Sequence, residues 1–347
     1  MKAIQFVRIG TVEQVEVDKP VIGAGEVLIK VTAAGVCQTD VHFQHATEQM
    51  IADHTTLGHE IVGDIVETAP DVTHLTVGEQ VIVMPCFGCG VCVMCIAGKQ
   101  NACRNTGGRL FPAPTPGVSV NGGMAEYVAV RASAVVPAAG LDPKLAAALT
   151  DAGLVPFHSI NATKDILRPG STAVVIGVGG LGQFAVEILR AVTGASIIAI
   201  DLKDSSLDAV RDKVAHTFRS DDPELVSKIL DTTGGYGADV VLDFVGNDTT
   251  LALDGHIIAP YGAIRVPGLS DGTFAFETSQ TQTSLPWGAS ITRPYSGTYQ
   301  DLYDLVALAR TGKLDVDITE YAFDDALTAL DDLHAGRVVG RAVLVMP

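Results

Sequence analysis

Thr172-Ala173-Val174-Val175-Ile176-Gly177-Val178-Gly179-Gly180-Leu181-Gly182 decides the fold of the second half of this chain. A short β-forming run enters G-x-G-x-x-G, an apolar stretch continues from Leu181 to Val192, and a second run follows from Ser196 to Ile200. The spacing predicts strand, glycine turn, helix, strand: a βαβ unit whose right-handed crossover builds a parallel sheet. In such a turn Gly177 permits the tight bend, Gly179 lets a pyrophosphate approach the backbone, and Gly182 packs helix against strand. Gly180 and Leu181 open the helix, whose N-terminus offers unpaired N–H groups and a favourable dipole to phosphates. Asp201 ends the next strand, 24 residues after Gly177, where its carboxylate can accept from both ribose hydroxyls of a dinucleotide. The same charge repels a 2′-phosphate and so favours NAD; Lys203 is the nearby cation that leaves NADP possible.

Working outward, further strands are predicted at Asp239 to Val245 and Ala263 to Val266, and an amphipathic helix at Tyr299 to Arg310. The tail, Arg341 to Val345, reads as a strand returning to the first domain. Residues 1–150 have another rhythm. Short strands such as Glu26 to Thr32 and Glu60 to Val66 alternate with Gly, Pro and Asp turns, which suggests a β-rich, barrel-like domain. A helical, alanine-rich pattern occupies Pro143 to Ile166. At 347 residues the chain exceeds one ordinary hydrophobic core, so two domains are expected.

A net charge of −17 argues against nucleic acid, whose phosphates need a basic surface. The balance is skewed further, with 28 Asp against 12 Glu and only 10 Lys. Dense surface carboxylates with few lysines suit a protein kept soluble in concentrated salt; an ordinary acidic enzyme is the alternative. The most hydrophobic stretch, Ala173 to Ile200, is interrupted by Gln183, Glu187 and Arg190, so no membrane span is expected. The N-terminus lacks a signal-peptide core. Five of six cysteines are bunched, which fits thiolate–metal chemistry and a cytoplasmic location.

Four of those cysteines, Cys89, Cys92, Cys95 and Cys103, follow C-x2-C-x2-C-x7-C within a loop rich in turn formers. Thiolates at that spacing can close a tetrahedral shell around zinc and leave no position for substrate, which implies a structural metal. Disulfides or an iron–sulfur cluster are the alternatives; two successive C-x2-C steps are awkward for disulfides.

Cys37-Gln38-Thr39-Asp40-Val41-His42, Leu57-Gly58-His59-Glu60, the cysteine loop, Val174 to Gly182, Gly340-Arg341 and the opening Met1-Lys2-Ala3 together carry a resemblance. Over essentially its whole length the chain resembles the zinc-containing medium-chain alcohol dehydrogenases. The resemblance implies a GroES-like catalytic domain over 1–152 and 297–347 and a Rossmann, doubly wound dinucleotide-binding domain over 153–296. It implies two zincs per chain, one catalytic and one structural, and a homotetramer. The catalytic ligands it assigns are Cys37 and His59. Asp151 stands at the third position, where many relatives carry cysteine; a carboxylate oxygen binds zinc at a similar distance. Glu60 is a transient ligand or the buried partner of a cation such as Arg341, and Asp40 is a candidate to hold the far nitrogen of His59.

The implied reaction is reversible hydride transfer between an alcohol and a nicotinamide, with an aldehyde or ketone as product. An open zinc lowers the pKa of an alcohol hydroxyl, so that an alkoxide forms near neutrality. Thr39 and His42, i and i+3 on a helix, are assigned the proton relay. By resemblance Phe244, Val245, Gly268, Leu269 and Arg341 line the cofactor. Gln38, Val155 and Pro267 depart from the family pattern and bear on cofactor affinity. Met50, Met84, Leu110, Trp287 and Tyr295 are expected near an apolar substrate pocket. A polyol or other specialised dehydrogenase of the same superfamily is the nearest rival. A binding protein that kept only the fold would be expected to lose members of the reactive set, and all are present.

Overall fold

The computed structural model describes residues 1–278 and 285–347. They form two compact units, Met1–Leu154 with Ser296–Thr311 and Ile318–Pro347, and Val155–Tyr295 with Gly312–Asp317.

In the first unit one long strand, Glu26–Val36, organises everything else. Along one edge it pairs antiparallel with Glu60–Thr68; along the other it pairs with Tyr127–Arg131 over its first half and with Arg341–Val345 over its second. Ile318–Ala322 extends the sheet beyond Arg341–Val345, and Gln80–Val83 and Val135–Pro137 extend it beyond Glu60–Thr68. A smaller sheet joins Thr11–Glu16, Lys2–Arg8 and Thr55–Thr56. The apolar side chains Ile4, Phe6, Ile29, Ile61, Ile65 and Leu344 are fully buried in the core of this unit.

The register of these strands brings chemistry to one place. Gly35 lies opposite Glu60 and Val36 opposite Ala342, so Cys37, His59, Glu60 and Arg341 emerge from adjacent strand ends. Gly35 is required there, because a Cβ would collide with the Glu60 carboxylate.

The second unit is a six-stranded parallel sheet. Its order is His216–Arg219, Ser196–Asp201, Thr172–Ile176, Ala238–Asp243, Ile258–Arg265, Ser290–Thr292. The chain winds outward on one side of Thr172–Ile176, then returns to its other side at Ala238–Asp243. That reversal is the topological switch point, beyond whose strand ends open parallel sheets bind ligands. The helix Gly180–Val192 provides the first crossover, and Val174, Ile198, Val241 and Ile264 fill the core.

Two of the strands expected in the second unit have other bounds. The strand expected through Val245 stops at Asp243, because the Asp243 carboxylate accepts the N–H groups of Val245 and Gly246, at 2.8 and 3.0 Å, and turns the chain. The next strand starts at Ile258 rather than Ala263, carrying a register irregularity and a left-handed Tyr261 (φ 61°) through its Pro-Tyr-Gly segment.

Gly182 is fixed by packing: a Cβ there would collide with the Gly177 carbonyl oxygen. Gly182→Ala should therefore lower stability by about 1–3 kcal/mol, the usual cost of overpacking. Calorimetry showing an unchanged melting temperature would contradict this packing account.

Candidate metal centres and nucleotide loop

Cys37 caps the helix Gln38–Gln44 at the end of the long strand, and Asp40, in the first turn, accepts the Cys37 N–H at 2.9 Å. His59 follows the left-handed Gly58 (φ 94°) and precedes the strand Glu60–Thr68. Asp151 sits in a π-helical turn, Leu149–Gly153, inserted between the helices Pro143–Ala148 and Leu154–Asn161. Such insertions recur at functional sites, and this one was not readable from the sequence pattern.

Donor atoms of Cys37, His59, Glu60 and Asp151 lie within 4.8 Å of one another. Asp151 Oδ2 is 3.5 Å from Cys37 Sγ and 3.7 Å from His59 Nε2. A tetrahedral zinc with bonds of ~2.0–2.3 Å sets its donors roughly 3.3–3.8 Å apart, so the two separations from Asp151 fit such an ion. Glu60 is engaged from behind: Arg341, itself buried, donates from Nε to Glu60 Oε2 at 3.1 Å, contacts its other oxygen through Nη2, and reaches Asp151 Oδ2 at 3.2 Å. Arg341, assigned to the cofactor by resemblance, thus braces the two carboxylates.

Burial alone would raise the Cys37 thiol, but the charges of Arg341 and His59 hold it below its ordinary value. Burial would lower His59, yet the Cys37 thiolate and Asp151 raise it well above its usual range. Burial raises Asp40, with His59 opposing. Asp40 Oδ1 and His59 Nδ1 face each other at 4.0 Å, beyond a direct hydrogen bond, and neither atom has a hydrogen-bond partner among the described residues. Thr39 places its hydroxyl 3.7 Å from Cys37 Sγ, and His42 is exposed one turn further along the same helix.

The second cluster is Cys89, Cys92, Cys95 and Cys103. Sγ separations of 3.9 Å (Cys89–Cys95) and 4.0 Å (Cys92–Cys103) are close to the ~3.8 Å edge of a tetrahedral tetrathiolate zinc shell. Backbone N–H groups of Cys92, Arg104 and Asn105 point at these sulfurs from 3.3 to 3.4 Å. The Arg104 N–H, with that of Cys95, lowers Cys92 to about 6, whereas burial pushes Cys95 up to about 12. Four thiols so placed cannot all ionise without a cation among them. Cys86 is buried outside this set, and all six cysteines are free thiols.

In the second unit Gly177 adopts φ 83° and Gly182 touches it, whereas Gly179 (φ −81°) would find nothing within 4 Å of a Cβ. Neither backbone strain nor packing within the protein demands glycine at 179. The open space beside Gly179 is what a pyrophosphate approaching the backbone would need. Gly180 and Leu181 begin the helix behind it. Asp201 is fixed by two backbone donors, Val178 N–H at 2.8 Å and Lys203 N–H at 2.9 Å. Phe244 and Val245 lie in the turn after Asp243, and Gly268 N–H donates to the Asp243 carbonyl at 3.1 Å. Gly268 and exposed Leu269 border a hollow of about 410 Å³ with Gly246 and Phe274. Of the residues expected near substrate, Met84 is fully buried; Met50, Leu110, Trp287 and Tyr295 are exposed.

Residues 23–140 match the model for the alcohol dehydrogenase GroES-like domain, and residues 180–311 that for zinc-binding dehydrogenases. The chain belongs to the zinc-dependent medium-chain alcohol dehydrogenases. An NAD-dependent alcohol dehydrogenase from Sulfurisphaera tokodaii is 32% identical, over 99% of this chain and 100% of the relative. A D-arabinose 1-dehydrogenase (NADP(+)) from Saccharolobus solfataricus is 31% identical over 96% and 93%. The crystal structure of the alcohol dehydrogenase of Aeropyrum pernix superposes with a TM-score of 0.89 at 30% identity, covering 99% of this chain and 100% of that one. Among the described residues no helix is long and apolar enough to cross a membrane.

Removing one member of a buried ion-pair network leaves the others uncompensated. Arg341→Met should destabilise the metal-free protein by about 3–5 kcal/mol in denaturant unfolding. A loss below ~1 kcal/mol would show that Glu60 and Asp151 do not depend on the guanidinium.

Proposed function

We propose that the chain interconverts alcohols with aldehydes or ketones using NAD, with a catalytic zinc held by Cys37, His59 and Asp151 and a structural zinc held by Cys89, Cys92, Cys95 and Cys103. The observation that carries this reading is the meeting of Cys37, His59 and Asp151 from three separate elements, with the Thr39 hydroxyl beside them. Bound zinc would supply Lewis acidity to an alcohol or carbonyl oxygen, and the nicotinamide would accept or return hydride. Cys37 and Asp151 bring two negative charges to balance a dication, and His59 completes a three-donor set with one position open. Thr39 would relay the proton that the alcohol loses, accepting it as its own hydroxyl proton passes on, and exposed His42 would take up that proton as a base and release it to solvent. Glu60 keeps Arg341 in place and stands near enough to serve as a transient fourth donor.

Asp201 would receive the adenosine ribose and disfavour NADP, with Gly177 to Gly182 under the pyrophosphate and Phe244, Val245, Gly268 and Leu269 towards the nicotinamide. Asp201→Ser should raise the NAD KM and lower the NADP KM, each tenfold step corresponding to ~1.4 kcal/mol. The substrate class is best found by testing 1-alkanols, 2-alkanols, polyols and aldoses, the last because one relative is named for D-arabinose.

The zinc assignments separate in a pair of variants. Cys37→Ser should cut kcat by more than about 10³-fold, a loss of several kcal/mol of transition-state stabilisation, with little change in melting temperature. Cys89→Ser should lower melting temperature and bound zinc together, because a structural shell contributes directly to folding. Metal analysis giving one zinc per wild-type chain would overturn the two-zinc reading. His42→Ala should slow turnover by about 10²-fold, the ordinary worth of one proton-transfer group.

A homotetramer in the cytoplasm, in a salt-tolerant host, completes the proposal. Family resemblance supports the tetramer, the bunching of five cysteines at metal-ligand spacing supports a reducing compartment, and the −17 charge supports salt tolerance. Sedimentation equilibrium giving a monomer would refute the tetramer, as would stability unaffected by molar salt the halophilic origin.

A further inference from the structure

One cation stands closer to Asp201 along the sheet than the sequence spacing suggests. In the parallel pair Ser196–Asp201 and His216–Arg219, the last residues of both strands, Asp201 and Arg219, are Cα partners. Both therefore occupy the strand-end edge where a parallel sheet receives its ligand. Arg219 is held by two flanking aspartates. Nη1 donates to Asp204 Oδ1 at 3.0 Å, while Nε and Nη2 donate to the two oxygens of Asp221, each at 2.9 Å. The Asp221 contact is a two-point fork, the geometry in which a guanidinium would otherwise receive a phosphate. The three side chains remain accessible, at 42%, 71% and 53% of full exposure for Arg219, Asp204 and Asp221. No burial isolates the arginine from the Asp201 end of the neighbouring strand.

We propose that Arg219 is a masked 2′-phosphate receptor: Asp204 and Asp221 occupy its guanidinium, so that the cofactor choice set at Asp201 is reinforced by a closed ion-pair cluster. The inference rests on the reading that Asp201 receives the adenosine ribose. In wild type an incoming 2′-phosphate meets carboxylates at Asp201, Asp204 and Asp221, and must displace one of them to gain the fork. Neutralising the two clamps exposes a bidentate partner without touching the residues that bind the unphosphorylated ribose. NADP affinity should then rise while NAD affinity stays in place.

The test is direct titration of NADH and NADPH fluorescence on the zinc-loaded protein, at about 0.5 M salt to screen longer-range charge. Asp204→Asn/Asp221→Asn should tighten NADPH by about tenfold or more, with NADH changed by less than about twofold. Adding Arg219→Gln to that pair should remove most of the gain. An NADPH change below about threefold in the double variant, or a gain that survives whole without Arg219, overturns the proposal. Asp201→Ser is the separating arm. If it leaves both dissociation constants unmoved, the nucleotide does not lie at Asp201 and the underlying reading fails as well. If it moves them and the double variant does not, only the role of Arg219 falls.

Discussion

Arg341, buried between Glu60 and Asp151, is the interaction on which the first unit depends. Three segments far apart in sequence supply its members, and each arrives on a different element. The final strand Arg341–Val345 can bring the arginine there only by pairing with Glu26–Val36, which also delivers Cys37. Glu60 comes from the opposite neighbour of that same strand, and Gly35 between them leaves room for its carboxylate. A guanidinium suits this position because it offers several donors in a fixed plane and stays charged when desolvated. Lysine could not address both carboxylates with the same geometry.

The second unit solves a different problem, that of holding a carboxylate steady at the surface. Asp201 is fixed from two sides by backbone N–H groups, one from the glycine turn and one from the start of the next helix. Turn and carboxylate are therefore one structural unit, so that a ligand touching the glycines finds Asp201 at a set distance. Asp243 plays the corresponding part on the far side of Thr172–Ile176, shaping the Val245–Gly246 turn. Here the sheet provides direction and short polar contacts provide position.

Much of this was legible in the sequence, and the failures have physical causes. The glycine turn between Ile176 and the helix was readable because its residues allow few alternatives. The cysteine loop was readable because four thiols in one short segment can converge without help from the rest of the chain. Local signals, however, do not register inserted residues. The π-helical turn that carries Asp151 changes no hydrophobic period, and the strand from Ile258 was hidden because Pro260 and Gly262 look like a turn. Arg219 was missed for a third reason. It is 18 positions from Asp201 in sequence, and only the parallel register makes them neighbours.

Cys37, Glu60 and Asp151 can each carry a negative charge, against the one positive charge of Arg341, which contacts both carboxylates. Burial opposes protonation of His59, and the Cys37 and Asp151 charges draw it towards protonation. Protonating His59 would relieve the deficit and remove a metal donor at once. A divalent ion relieves it while keeping the imidazole neutral, and thiolate, imidazole and carboxylate together suit zinc better than a hard, oxygen-seeking cation. The arginine and a bound metal would therefore be complementary: Arg341 neutralises the carboxylates it contacts, and the ion would supply the remaining positive charge.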